Sequence, residues 1–112
     1  MVNTSTELHF LTIREASELI RSRQLSPVEL TRAFLNRIEA TDDQLHSFIT
    51  LLSDQALEQA RTAEAEIIAG AYKGPLHGIP IALKDLYDTA GIRTTSGSRV
   101  DTNRVPTEDS TA

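Results

Sequence analysis

The stretch GIPIALKD, residues 78–85, places a lysine and an aspartate at the end of a short apolar run, and Lys84 is one of two lysines in a chain with nine arginines. In an extended backbone alternate side chains face opposite ways. Ile79, Ile81 and Leu83 then share one side, Pro80, Ala82 and Lys84 the other, and Lys84 and Asp85 point apart. A low-dielectric site would disfavour the ammonium of Lys84 and lower its pKa from roughly 10.4, as a proton-accepting base requires. Arginine does not lose its proton in this way. The same pattern also fits a lysine whose stem lies on apolar surface while its charge stays in water. Local sequence leaves both readings open.

Other residues with chemical potential surround it. TTSGS, residues 94–98, reads as a turn or as a loop for an anion or substrate, the turn being the commoner use of these residue types. Asp85 and Asp88 are spaced as paired carboxylates for acid–base work, but capping and loop hydrogen bonding are the more frequent roles of such aspartates. His77, between a leucine and a glycine, reads as a turn residue. His9, His46 and His77 are too far apart in sequence to make a local ligand pair, and with no cysteine present there is no thiolate zinc site and no disulfide framework. Neither G-x-G-x-x-G nor G-x-x-x-x-G-K-[ST] occurs, nor a G-x-S-x-G elbow, nor a serine three residues before either lysine. No cofactor and no metal are therefore expected.

The elements that must position these residues begin with helices. Thr12 and Glu15 have capping-box spacing, and Ile13, Ala16, Leu19 and Ile20 fall on one stripe, so a helix is expected from there to about Arg23. Ser26 as N-cap, Pro27 at the first helical position and Glu29 closing the box start a second helix. Val28, Thr31, Leu35 and Ile38 line its inner face, Leu30 and Phe34 widen it, and TDDQ, residues 41–44, is expected to end it. SFITLL, residues 47–52, reads as a buried strand. From Ser53 or Asp54 a third helix presents Ala56, Ala60, Ala63 and Ile67, a small-residue face suited to close approach, and Gly70 marks its end. IPIALKD, residues 79–85, reads as a strand with Pro80 near its start. The Thr-, Ser- and Gly-rich remainder reads as loop, and VPTEDSTA, residues 105–112, as a helix start cut short.

Bulk properties bound the function. At 112 residues, 39% hydrophobic and 24% charged, the chain has the size and composition of one ordered domain rather than of a disordered segment. Sixteen acidic against eleven scattered basic residues disfavour direct nucleic-acid binding. No segment approaches the roughly 20 apolar residues that span a bilayer, and no basic leader precedes an apolar stretch, so no membrane association and a cytoplasmic location are expected.

Residues 74–98, GPLHGIPIALKDLYDTAGIRTTSGS, resemble the amidase signature family of serine amidohydrolases. The likeness extends back through residues 16–67 and forward to VPTEDSTA. It implies an α/β fold of which these residues form the helix-rich N-terminal portion, with one or two strands of a mixed central sheet. Residues 1–112 would then be a single incomplete domain. The resemblance makes Lys84 the catalytic lysine of a Ser-cisSer-Lys mechanism, in which a bridging serine in a cis peptide helps a second serine attack an amide. An acyl-enzyme forms and ammonia or an amine leaves. Both family serines fall beyond residue 112, and Ser96 and Ser98 do not match their motif, so the chain alone is expected to be inactive. The implied partners are a small-molecule amide substrate, the rest of the domain, and a second copy in a homodimer. A free amidase is the first reading and the A subunit of the Asp/Glu-tRNA amidotransferase the second. From a different class, a small helical interaction module with a structural Lys84 is the third.

Overall fold

Two of the caps read from sequence, Thr12 and Ser26, are places where the backbone turns helical. The structure, a computed structural model, describes residues 8–111. After a short 3-10 turn at Leu8–Phe10 come α1 (Ile13–Arg21), α2 (Pro27–Leu45) and α3 (Ser53–Ile68). The described residues divide into two compact units, with the break between Pro80 and Ile81.

In the first unit the α1 capping box is complete: Glu15 N–H donates to Thr12 Oγ1 at 3.1 Å, and Thr12 N–H donates to Glu15 Oε1 at 3.0 Å. This helix ends at Arg21, two residues short of the expected Arg23. The next residues close a Schellman turn, Gln24 N–H to Leu19 O at 2.8 Å and Arg23 N–H to Ile20 O at 3.0 Å, with Arg23 left-handed at φ 62. The Arg23 guanidinium reaches the far end of α3, where Nη2 donates to Ile67 O at 3.3 Å and Ile68 O at 3.2 Å.

Ser26 caps α2 as its type predicts, accepting from the N–H groups of Val28 and Glu29, with Pro27 at the first position. The expected return bond from Glu29 is not seen; separately, Ser26 Oγ donates to Glu64 Oε2 of α3 at 3.0 Å. TDDQ does not end α2. Thr41 bonds back to Arg37 O at 2.8 Å, and Asp42 Oδ1 accepts from the N–H groups of Ser47 and Phe48, so the helix continues to Leu45. The left-handed residue that ends it is His46, φ 50.

α3 starts after Leu52 with no side-chain cap, one residue before the expected Ser53 and two before Asp54. Gly70, φ 88, closes its end through Gly70 N–H to Ile67 O and Ala71 N–H to Glu66 O. Ala60, Ala63 and Ile67 are buried where α3 packs on α2, the close approach expected of small side chains.

Leu8, Ala16, Ile20, Leu25, Leu30 and Ile67 form the core, with Leu19, Phe34, Tyr72 and Ile79 packed at its edge. Ile20 and Leu30 are each only 1% exposed, and burial at that level stabilises by about 1.5–3 kcal/mol per side chain. Ile13, expected on the buried stripe, is 55% exposed. Ser17 takes the inward position instead, its hydroxyl 3.3 Å from Tyr72 Oη.

Both expected strands are corrected. No strand occurs among the described residues, and SFITLL and IPIALKD are irregular, with Ile49, Leu51, Ile81 and Leu83 all exposed. A strand is defined by its ladder, and neither segment has an extended partner alongside among the described residues. The described part is therefore helix-rich, and the sheet half of the α/β expectation is not seen in it.

The second unit has no helix among its described residues. Its regular pairing is one antiparallel bridge, Thr89 with Ile92, and the rest is held by hydrogen bonds between residues 85–94 and residues 95–110. VPTEDSTA is not helical over its described residues. Its side chains serve the neighbouring segment instead: Ser110 Oγ accepts from Asp88 N–H at 2.6 Å, and Asp109 Oδ1 from Ala90 N–H at 2.8 Å.

Candidate functional site

Lys84 opens a tight turn. Its carbonyl accepts from Leu86 N–H at 2.7 Å and from Tyr87 N–H at 3.1 Å, which brings the chain sharply round Asp85. The Lys84 side chain is exposed and has no hydrogen-bond or ion-pair partner among the described residues. The carboxylate of Asp85 turns toward the TTSGS segment. One of its oxygens accepts from Thr95 N–H at 2.8 Å, and the other accepts from the Thr95 hydroxyl and from Gly97 N–H at 3.3 Å. Thr94 and Thr95 are buried, at 3% and 5% exposure.

These bonds set the electrostatics of Asp85. The Thr95 hydroxyl, then the Thr95 amide, hold its carboxyl below the ordinary aspartate range against an opposing effect of burial. Residues 95–98 form a β-turn closed by Ser98 N–H to Thr95 O at 2.9 Å, whose central residues Ser96 and Gly97 have φ of 53 and 68. The turn reading of TTSGS is therefore the one observed. Its amides face Asp85, an acceptor supplied by the chain itself.

Asp88 is not paired with Asp85. Its two oxygens receive Nη1 and Nη2 of Arg104 at 2.7 and 2.8 Å, the parallel fork that guanidinium geometry favours. The Arg104 hydrogen bonds lower the Asp88 carboxyl. Arg104 also donates from Nη1 to Thr94 O, and Thr94 N–H donates to Arg104 O at 3.0 Å. Ser96 is exposed, and Ser98 Oγ accepts from Val100 N–H at 3.2 Å; neither approaches Lys84 within hydrogen-bond distance. The unit presents an amine beside a rigidly held loop, without a nucleophile next to it among the described residues.

The histidines fall in three places. His9 lies against Phe10 in the 3-10 turn with the two rings tilted by 43°, His46 ends α2, and His77 lies in the first unit after α3. His77 is more than the turn residue read from sequence, because its side chain is only 8% exposed. Nδ1 accepts from Lys73 N–H at 3.0 Å, which leaves Nε2 to donate to Glu66 Oε1 at 3.2 Å and fixes the neutral tautomer. Glu66 also meets Lys73 Nζ at 2.6 Å. Lys73 and then His77 hold its carboxyl below the usual glutamate value. Only the short spacing between Lys73 and His77 is visible in sequence; the Glu66 partner is supplied by folding. No group of side chains among the described residues is arranged to hold a metal ion, and no described helix is long and apolar enough to cross a membrane.

Comparison with known proteins places these residues in context. The family model described as Amidase matches residues 29–112, a span that includes Lys84, Asp85 and the 94–98 turn. The A subunit of glutamyl-tRNA(Gln) amidotransferase from Geobacter sp. (strain M21) is 49% identical over 106 residues, 95% of this chain and 22% of that protein. The proteins of that name from Geobacter sulfurreducens and Moorella thermoacetica are 47% and 43% identical, each over 94% of this chain. The chain spans about a fifth of the length of these curated relatives.

Proposed function

The chain belongs to the amidase family, and on that premise we propose that it is the N-terminal part of the A subunit of a glutamyl-tRNA(Gln) amidotransferase, within one domain completed by the rest of the protein. The observation that carries this reading is the 49% identity over 95% of the chain to a protein of that name. It favours the amidotransferase reading over a free amidase.

In the full-length protein Lys84 acts as the catalytic lysine. The residue type suits the task, since an ammonium brought into a closed site gives up its proton far more readily than a guanidinium. The neutral amine takes a proton from a bridging serine, which takes the hydroxyl proton of a nucleophilic serine as that serine attacks the carboxamide carbonyl. An acyl-enzyme forms and ammonia leaves. Water then releases the acid from the acyl-enzyme in either enzyme, and in the amidotransferase the freed ammonia is accepted in a partner subunit, with charged tRNA nearby. Residues 79–85 become a strand of the mixed sheet once a neighbouring strand supplies the ladder.

The test is ammonia release from a carboxamide probe such as glutamine by the full-length protein and its Lys84→Ala variant. Loss of about 10²–10⁴-fold is expected for removal of a positioned acid–base group. Near-normal turnover would remove Lys84 from the mechanism. Copurification of B- and C-type subunits is expected of the amidotransferase; an active protein recovered without them is a free amidase.

A further inference from the structure

From the bonds that converge on Asp85 we infer that it is a positioning residue, whose carboxylate clamps the 94–98 turn onto the turn that carries Lys84. Lys84 and Asp85 are adjacent, and the Lys84 carbonyl closes the bend in which Asp85 sits. The direction of the Asp85 side chain and that of the Lys84 stem are therefore set by the same few backbone torsions.

The Asp85 carboxylate is held by three donors from two residues, the amide and hydroxyl of Thr95 and the amide of Gly97. Those donors are ten and twelve residues away in sequence, so the bonds fix one loop against another and do more than cap a local turn. Thr95 is 5% exposed, and its hydroxyl also accepts from Gly97 N–H at 3.3 Å, which leaves it little freedom to find a replacement partner. Ser96 and Gly97 hold positive φ to bring the amides round to the carboxylate. Loss of the carboxylate leaves Thr95 N–H without its acceptor in a buried position and releases the turn. The Lys84 stem then loses its fixed origin, and a displacement of about 1 Å at a reacting group can lower a rate by about 10²-fold.

The inference rests on the reading of Lys84 as the catalytic lysine, and the experiment separates the two. The full-length protein is compared with Asp85→Asn, Thr95→Val, Thr95→Ser and Lys84→Met, with active sites titrated by an acylating inhibitor so that kcat refers to folded enzyme. The positioning role gives a kcat about 10²-fold lower for Asp85→Asn and about tenfold lower for Thr95→Val, with KM within about twofold. Thr95→Ser keeps the hydroxyl and restores kcat to within about twofold. If Asp85→Asn does not fold, the Thr95→Val and Thr95→Ser pair decides alone. Unchanged kcat per titrated site in Asp85→Asn or Thr95→Val, with only a lower melting temperature, would show a structural role and overturn the inference. An active Lys84→Met variant would instead overturn the mechanism on which it rests, whatever the other variants do.

Discussion

The two units are built on opposite plans. Every buried large apolar side chain among the described residues, including Ile20, Leu25, Leu30 and Ile67, belongs to the first, where three helices enclose them. Among the polar residues buried in the molecule are Thr94 and Thr95 of the second unit, where Ile81, Leu83, Leu86, Tyr87, Val100 and Val105 are all exposed. One unit is cohesive because water is excluded from hydrocarbon, the other because Asp85, Asp88, Arg104, Asp109 and Ser110 satisfy backbone and side-chain groups of neighbouring segments. The first kind of cohesion is indifferent to protonation, and the second depends on it.

The strongest way to break this contrast is to hollow out the first unit. Ile20→Ala or Leu30→Ala removes a fully buried branched side chain and should cost about 2–5 kcal/mol, a large part of a domain's usual 5–15 kcal/mol. Helical circular dichroism in a urea titration should show the loss. Next is Gly78→Ala, in the first unit. Gly78 has φ +85, and an added Cβ would lie 2.8 Å from Pro27 Cγ and 3.2 Å from Pro27 Cβ. The left-handed backbone alone costs a β-carbon about 1–2 kcal/mol, and the proline ring at the head of α2 must also shift. The same titration measures it.

Acid probes the carboxylates that hold the second unit. Asp85 and Asp88 have folded-state pKa values below the ordinary aspartate value of about 3.9. The stability they contribute is fully present above that value and is lost as pH falls through the folded-state pKa. Exchange protection at the Thr95 and Gly97 amides should therefore fall in that acid range while the interior amides of α1 to α3, bonded to backbone carbonyls, keep theirs. In Asp85→Ala, which removes both acceptor oxygens, the two amides should lose protection already at neutral pH. Hydrogen exchange followed residue by residue checks both statements, and equal acid loss in the helices would dissolve the contrast. Smaller is Thr12→Ala, which opens one capping box for about 1 kcal/mol. The smallest is Arg21→Ala, removing an exposed pair with Glu18 at 2.8 Å, expected within about 0.5 kcal/mol of no change.

What the sequence made legible follows the same division. Thr12 with Glu15, Ser26 with Pro27, and the alanine face of α3 carry their structural instruction within a few residues, so they could be read directly. TDDQ misled because residues that favour turns also terminate helices from inside, as Asp42 does by accepting from two amides beyond the helix. SFITLL and IPIALKD have strand composition, but pairing is a property of neighbours and not of the segment. At the candidate site the motif singles out Lys84 for a role still to be tested, and residue type alone indicates the turn at TTSGS and the loop roles of Asp85 and Asp88. The Asp85–Thr95, Asp88–Arg104 and Glu66–His77 pairings link residues ten, sixteen and eleven positions apart, with no periodicity to announce them.

Arg23 bears on how such a protein could be redesigned. A left-handed residue after a helix is a standard place to install glycine for stability, with relief of about 1 kcal/mol expected. At position 23 that gain is opposed by losing the guanidinium from the last carbonyls of α3, bonds of comparable worth for a charged donor. Glycine would improve one helix end while uncapping another 44 positions along the chain. A substitution chosen from the local backbone angle alone would thus loosen the joint it was meant to tighten.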